Sequence, residues 1–481
     1  MGERKIVNPA NGELLAVVAE AGVQEIEAAV ARAKEAYDSG CWSRLDASRR
    51  GRILCAVSDL MLRHRDELAV LESSNNGKPV RDTRKEVESA ARTFAYYGGL
   101  ADKLQGDVIP VDGEYLNITV RQPLGVAALL LPWNSPLLLM SWKLAPALMA
   151  GNTAVLKPSE FTPLSTLRFA ELLKETEIPS GVVNVVTGSG DPVGAALVRH
   201  EKIAKVSFSG CVETGRAISR EAGVGLKRVN LELGGKSANI VFPDANIKAA
   251  ARSAVRAAFG GAGQSCAAGS RLLVHEAVYD EFMAEFMAIT RGIVVGDPLS
   301  EETEMGPVSN EAQYAKTMAF IESAQQEGAK LLHGGGPPAE AGCGQGNFLE
   351  PTVFADVLPT MRIAQEEIFG PLVAVMKFSS EDEAVAMANG VGYGLTGAVW
   401  TSDLSRAMRI SQRIDVGTLW INCYKALSPA SPYGGFKSSG YGRENGILGI
   451  DEYTQWKSVW FNYGEPIGSG YACDPDASTA I

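Results

Sequence analysis

Residues 122–142 read Gln122-Pro-Leu-Gly-Val-Ala-Ala-Leu-Leu-Leu-Pro-Trp-Asn-Ser-Pro-Leu-Leu-Leu-Met-Ser-Trp142, twenty-one positions without a charge. By length alone the stretch is enough to span a bilayer. It is interrupted, however, by Pro123, Pro132 and Pro136, with Asn134 and Ser135 at its centre. A membrane helix tolerates that poorly, whereas a fully buried strand followed by a turn explains both the apolar run and its punctuation. That reading sets the fold class, because the same texture recurs on either side. Val126–Leu131, Thr153–Leu156, Val182–Val186 and Lys205–Phe208 are short apolar runs, each followed by Pro, Gly or Asn and then a helix-like segment. After Glu232 a second series begins, with strands at Ala238–Phe242 and Arg271–Val274, a helix near 246–259 and another from Ala277. Repeated strand-then-helix with continuous apolar strands implies an α/β protein with parallel sheets covered on both faces.

The flanking regions read differently. Residues 23–38 and 44–72 carry apolar side chains at helical spacing, Ile53, Leu54, Val57, Leu60, Met61, Leu68 and Leu71 in the second. The stretch 333–347 is rich in Gly and Pro and is expected to be a surface loop, and the last fifteen residues look weakly ordered. The length, 481 residues, supports two to four domains with sizeable cores. The 45 Lys and Arg against 56 Asp and Glu leave a net charge of −11, which argues against a nucleic-acid binder. Seven cysteines with no CxxC pair, and four histidines far apart in sequence, are poor material for a disulfide framework or a metal site, so no metal is expected. The N-terminus lacks an apolar h-region, so a cytoplasmic protein is expected.

Two lookalikes fail as nucleotide motifs. Gly188-Ser-Gly190-Asp-Pro-Val-Gly194 is one residue too long for GxGxxG, and Gly234-Gly-Lys-Ser237 has Asn230 where a P-loop needs glycine. Cys266 stands in Gly260-Gly-Ala-Gly-Gln-Ser-Cys-Ala-Ala-Gly-Ser270. It admits two readings, a buried apolar thiol or a nucleophile whose small neighbours let a substrate carbon and a cofactor ring approach one sulfur. If a turn or helix starts at Ala267, its N–H groups would also favour the thiolate.

Taken together, seven motifs occur in one order: PWN at 132–134, KPSE at 157–160, FSG…ETG at 208–215, ELGGKS at 232–237, GQSC at 263–266, EEIFGP at 366–371 and YGGFKSSGYGRE at 433–444. The chain so resembles the aldehyde dehydrogenase superfamily, from about Asn8 to about Asn462. The resemblance implies NAD-dependent oxidation of an aldehyde to a carboxylic acid. Cys266 would be the nucleophile, forming a thiohemiacetal and then a thioester. Asn134, with the Cys266 N–H, would hold the oxyanion, and Glu232 would be the base that activates the hydrolytic water. An acylating enzyme that passes the thioester to coenzyme A, and an inactive structural relative, are the alternatives; Glu232 and the full set of catalytic positions argue against them.

For the cofactor, the resemblance matches Lys157 and Glu160 to the adenosine ribose, where a carboxylate would repel a 2′-phosphate and favour NAD over NADP. Gly210 and Gly215 match the turn and helix N-terminus at the pyrophosphate, Glu367 the nicotinamide ribose, and Phe369 the backing of the ring. Leu131, Trp133 and Gly234 are expected in the same cleft. Cys211 stands where the family often has serine, which removes a hydroxyl donor.

The implied organisation is a Rossmann-like NAD-binding domain (1–105 and 122–233), an α/β catalytic domain (234–450), and an oligomerisation arm and tail (106–121 and 451–481). In the arm, Gly106–Arg121 and Glu452–Asn462 read as alternating strands. Such arms pair across subunits, implying a homodimer or homotetramer.

For the substrate, Ser135, Gly260 and Leu427 stand where relatives for small aldehydes often carry aromatics. A wider pocket is therefore expected, for a bulky aromatic, cyclic or semialdehyde substrate, with Leu138, Leu139, Trp142, Ser265 and Tyr433 around it. Lys425 near its mouth reads either as a group that attracts a carboxylate or as a solvated surface lysine.

Overall fold

The computed structural model describes residues 2–339 and 345–464; Cys343, Cys473, part of the expected 333–347 loop and the last fifteen residues lie outside them. The stretch 122–142 becomes strand Val126–Leu130, a short turn, and helix Pro136–Ala150. Along the strand, Ala127 and Leu129 enter one apolar cluster while Val126, Ala128 and Leu130 enter another on the opposite face. Both faces are dry, which is why the run shows no polar alternation. The helix buries thirteen of its fifteen residues, so it is apolar all round for the same reason. Among the described residues no helix is long and apolar enough to cross a membrane.

Strand Val126–Leu130 lies inside a six-stranded sheet ordered Gly440–Tyr441, Arg228–Glu232, Ile203–Ser209, Val126–Leu130, Thr153–Lys157, Val183–Val185. All neighbours are parallel except Gly440–Tyr441, which runs antiparallel and pairs Gly440 with Glu232. A seven-stranded sheet follows the order Lys330–His333, Thr352–Ala355, Leu372–Phe378, Arg271–His275, Ala238–Val241, Thr396–Trp400, Thr418–Ile421. Here only the first pair is antiparallel. Its strands alternate in the same way: Leu273, Ala374 and Met376 enter one core cluster, Leu272, Val274, Val373 and Val375 the other.

Three details differ from the sequence reading. The single helix expected at 44–72 is two, Ala47–Arg63 and Arg65–Asn76. They break at His64, whose ring bonds Glu67 in the first turn of the second helix at 2.8 Å. His333 belongs to a strand rather than to the loop that follows. Strand Gly440–Tyr441 falls in the segment assigned to the catalytic domain, yet it hydrogen-bonds to the six-stranded sheet, so the chain crosses that boundary.

Strand Tyr115–Pro123 pairs antiparallel with Thr454–Asn462 over nine residues, with Val108–Ile109 on its other side. This separate three-stranded sheet exposes Leu116, Trp456, Trp460 and Phe461.

Candidate active site

A cleft of about 600 Å³ opens at the carboxyl ends of the six-stranded sheet, where α/β proteins bind ligands. Its walls include Leu131, Trp133, Lys157, Glu160, Gly210, Cys211, Glu232, Gly234, Glu367 and Phe369, and at its deep end Asn134, Leu139, Trp142, Cys266 and Tyr433. Gly215 does not line it. A Cβ there would sit 2.6 Å from the Leu233 side chain, so this glycine lets helix Val212–Val224 pack on the sheet.

The wall groups are held by the strand ends. Gly210 N–H donates to the Glu232 carbonyl at 3.0 Å, and Leu131 N–H to that of Lys157 at 2.9 Å. Lys157 Nζ lies 3.4 Å from Glu160, and burial lowers its pKa. Cys211 caps helix Val212–Val224 and its sulfur lies 3.1 Å from Thr214 Oγ1, so a hydroxyl stands beside the position where serine was expected. Half-buried Glu367 accepts the Gly235 N–H at 3.0 Å and forms no ion pair among the described residues; burial raises its pKa, opposed by that hydrogen bond and by the charges of Lys316 and Lys236. A Cβ at Gly234 would meet its carboxylate at 2.1 Å, which explains that glycine. Phe369, at φ +61°, meets Trp133 edge-on at 5.1 Å.

These features suit a dinucleotide. A lysine and a carboxylate stand at one end, glycines bring backbone to the wall midway, and a second carboxylate, Glu367, lines the cleft without a direct ion pair among the described residues. The sequence reading missed several members of this wall. Gly190, Asp191 and Gly194, dismissed there as a failed glycine motif, line the cleft, as do Gln313 and Lys316 from helix Glu311–Gln326. The glycines follow strand Val183–Val185 but do not keep the GxGxxG spacing, and Gln313 and Lys316 approach from a helix outside the strand-end pattern.

Cys266 sits on a turn rather than a helix start, closed by Ala268 N–H to the Ser265 carbonyl at 2.9 Å. The residues after Cys266 therefore do not supply a helix N-terminus at the sulfur. Close packing fixes the turn: a Cβ at Gly235 would meet the Cys266 carbonyl at 2.3 Å, and one at Gly263, φ +68°, the Gly370 carbonyl at 2.1 Å. Asn134 Nδ2 donates one hydrogen to the Gln264 carbonyl at 3.0 Å, which holds the amide beside Cys266. Among the described residues nothing accepts from the Cys266 N–H. Burial pushes the Cys266 thiol up to about 11, opposed by the Tyr433 hydroxyl at 3.6 Å and by the charge of Lys425.

Glu232 ends its strand with both carboxylate oxygens buried and without a hydrogen-bond partner. Burial first, then repulsion from Glu444, raises its pKa well above the usual carboxylate range. Behind it, Glu444 Oε1 accepts from Lys143, Asn230 at 2.9 Å and Ser207 at 3.3 Å, a buried network that leaves Glu444 Oε2 and Asn230 Oδ1 without a partner. The two regions are tied through backbone, since Tyr433 and Glu444 exchange hydrogen bonds of 2.7 and 2.8 Å.

On the expected aldehyde side, Leu138, Leu139, Trp142 and Tyr433 do gather with Cys266, joined by Leu395, which the sequence did not mark. Ser135 is not simply a small wall residue. Lys78 Nζ donates to its hydroxyl at 2.8 Å and to Glu86 at 2.7 Å, so polar groups occupy its surroundings. Gly260 ends helix Ile247–Phe259, where a Cβ would sit 2.7 Å from the Arg256 carbonyl, and Ser265 shapes the Cys266 turn through its backbone. Neither joins the apolar cluster, nor does Leu427, which is 45% exposed. Lys425 is not a solvated surface lysine: it is half-buried and interacts electrostatically with Cys266, Lys78, Glu86 and Arg256, and burial lowers its pKa to about 8.

The sequence model of the Aldehyde dehydrogenase family matches residues 2–459. The mitochondrial aldehyde dehydrogenase of Mesocricetus auratus is 47% identical over 456 residues, 94% of this chain and 90% of that one. The betaine aldehyde dehydrogenase of Bacillus subtilis is 44% identical over 461 residues, 95% of this chain and 94% of its own. The crystal structure of PnpE, known from Pseudomonas sp. WBC-3, in complex with nicotinamide adenine dinucleotide superposes with a TM-score of 0.95 at 47% identity, covering 97% of this chain and 95% of that one.

Proposed function

Since the chain belongs to the aldehyde dehydrogenase family, we propose that it oxidises a bulky aromatic, cyclic or acid-bearing aldehyde to the carboxylic acid, with NAD as the hydride acceptor. The observation that carries the reading is the convergence of Cys266, Asn134 and Glu232 on the deep end of one cleft. Lys157, Glu160, Gly210, Glu367 and Phe369 would hold the dinucleotide along the rest of it. What bound NAD supplies is a hydride acceptor; the covalent states on Cys266 on either side of that transfer are a thiohemiacetal and a thioester.

The chain's own groups divide the remaining work. The Cys266 thiol gives up its proton to water in the cleft and the thiolate adds to the aldehyde carbon, with the Tyr433 hydroxyl and the Lys425 ammonium favouring the thiolate. The oxyanion that forms is met by the Cys266 N–H and the second Asn134 Nδ2 hydrogen, donors fixed before the charge appears. Glu232 has two free oxygens and a raised pKa, the state a general base needs to take a proton from water near neutral pH. Leu138, Leu139, Trp142 and Leu395 form an apolar wall that suits a ring or a chain longer than two carbons.

The test is NADH formation across aliphatic, aromatic and acid-bearing aldehydes, with and without coenzyme A. Turnover without coenzyme A, best with bulky aldehydes, is expected. Strict dependence on coenzyme A would replace hydrolysis by acyl transfer, and equal turnover of acetaldehyde would remove the bulky-substrate reading.

We further propose a homo-oligomer, dimer or tetramer, formed through the three-stranded sheet that exposes Trp456, Trp460 and Phe461. Sedimentation of the purified protein as a monomer would remove that part.

A further inference from the structure

The groups beside Cys266 on the aldehyde side do not balance in charge. Lys78 Nζ is fully engaged by the two Glu86 oxygens, at 2.7 and 2.8 Å, and by Ser135 Oγ at 2.8 Å. Lys425 has no such arrangement: among the described residues no side chain or carbonyl hydrogen-bonds its Nζ or forms an ion pair with it. The charged groups it senses are the Cys266 sulfur, Lys78, Glu86 and Arg256. Arg256 is exposed and, among the described residues, forms no ion pair either. Among the groups with the largest influence on Lys425, the one carboxylate is Glu86, already bound to Lys78.

The backbone holds Lys425 in place. Its φ is +56°, a left-handed conformation that long L side chains seldom adopt without support. On one side Tyr424 packs against Trp420 with ring centroids 4.9 Å apart, in a cluster that includes Ala267, the residue after the nucleophile. On the other side Trp420 Nε1 donates to the Ala426 carbonyl at 2.9 Å. The loop is pinned on both flanks of the residue, so the backbone from which the lysine extends is fixed.

We propose that Lys425, supported by Arg256, forms an anion subsite, and that the substrate is an aldehyde carrying a carboxylate remote from its reacting carbon. The proposal rests on the reading of Cys266 as the nucleophile and adds the chemical class of what that cysteine attacks. A half-buried ammonium without a counter-ion is costly, and a substrate carboxylate supplies the missing charge. The same field repels an aldehyde bearing a quaternary ammonium. A different role for Lys425, as counter-ion to the Cys266 thiolate alone, would act on all aldehydes alike; an anion subsite acts on acids only.

That contrast defines the experiment. Steady-state kcat/KM is measured with saturating NAD for two matched pairs: 4-formylbenzoate against the near-isosteric, uncharged 4-nitrobenzaldehyde, and succinate semialdehyde against butanal. Wild type, Lys425→Met and Lys425→Arg are compared. The expected result is that Lys425→Met lowers the acid-to-neutral ratio at least tenfold in one pair, chiefly through KM for the acid, while Lys425→Arg keeps most of it. Terephthalate, the product from the first acid, should bind wild type at least tenfold more tightly than Lys425→Met by calorimetry, a readout that needs no turnover. An unchanged ratio in both pairs, or equal losses for acid and neutral aldehyde, overturns the subsite while leaving the oxidation itself standing. Absence of NADH formation with every aldehyde overturns the underlying reading instead.

Discussion

At the end of the cleft proposed for NAD, the wall groups come off the carboxyl ends of neighbouring parallel strands: Leu131 after Val126–Leu130, Lys157 closing Thr153–Lys157, Gly210 after Ile203–Ser209, and Glu232 closing Arg228–Glu232. The end at Cys266 is assembled instead from turns and loops remote in the chain, with Lys78, Ser135, the turn around 263–268 and the loop around 422–433 meeting only in the fold. The first end is a property of the sheet; the second is a property of what is set upon it. A fold shared at this level therefore carries the cofactor end with it and leaves the other free to vary.

The largest expected effect separates the two ends outright. Cys266→Ala removes the only sulfur among the described residues that line the deep end and should lower turnover by more than about 10⁴-fold. NAD binding, followed by titration, should stay within about threefold of wild type. Loss of binding in step with activity would show that the ends are not separable.

Glu232 stands where the ends meet, and its substitution tests which of them it serves. Glu232→Gln should give a rapid burst of NADH followed by a steady rate lowered by about 10²–10⁴-fold, because hydride transfer keeps its groups while hydrolysis loses its base. Equal losses in both phases would place Glu232 on the cofactor side. The raised pKa adds a pH dependence. Below that pKa the carboxyl is protonated and takes no proton from water, so the wild-type hydrolytic rate should fall as pH is lowered through it. The stability sign is opposite to that of a paired carboxylate. The folded state holds its proton more tightly than the unfolded chain, so stability from this group is lost as pH rises from the ordinary carboxylate range through the raised value. Glu232→Gln, which cannot ionise, should therefore gain stability relative to wild type as pH rises, measured by denaturant titration.

Glu444, next to it in space, should behave in the reverse way. Its Oε1 accepts from Lys143, Asn230 and Ser207 while Oε2 is buried without a hydrogen-bond partner, and the Lys143–Glu444 pair is about 1% exposed on each side. Glu444→Ala would leave the Lys143 ammonium buried and unpaired, at a cost of about 3–5 kcal/mol in unfolding free energy. A loss below about 1 kcal/mol would show that the network relaxes around the gap.

The two ends were also unequally legible. Periodic apolar runs located the parallel strands, because a strand buried on both faces leaves a local signature in sequence, and motifs such as KPSE and ELGGKS sit at those strand ends. Roles for Cys266, Asn134 and Glu232 came through family resemblance, and the structure shows that these residues share one cleft. What stayed hidden depends on long-range pairing. Lys78 reaches Ser135 across 57 positions, and Gln313 and Lys316 reach the cleft from a helix of the other half. Lys425 illustrates the limit well, since neither its burial nor its missing partner is a property of its neighbours in sequence. The break at His64 was missed because apolar spacing continues through it.

The smallest effect sharpens the comparison from the cofactor side. Glu160 lies in the wall next to Lys157, where a carboxylate accepts hydrogen bonds from ribose hydroxyls and repels a 2′-phosphate. Glu160→Gln keeps a polar side chain of nearly the same shape while removing the charge, so NAD should lose little and NADP should gain. The cleft is open to solvent there, which weakens the charge repulsion. The ratio of kcat/KM for NAD over NADP should accordingly narrow by about tenfold, or 1.4 kcal/mol, rather than invert. Salt gives an independent check: the Debye length shortens from about 10 Å at 0.1 M to about 3 Å at 1 M, so wild-type preference should decline with ionic strength more steeply than that of Glu160→Gln. Parallel salt profiles would mean that shape rather than charge selects the dinucleotide. A wild-type preference for NADP would show that some other cation in the wall, Lys316 or Arg199, outweighs Glu160.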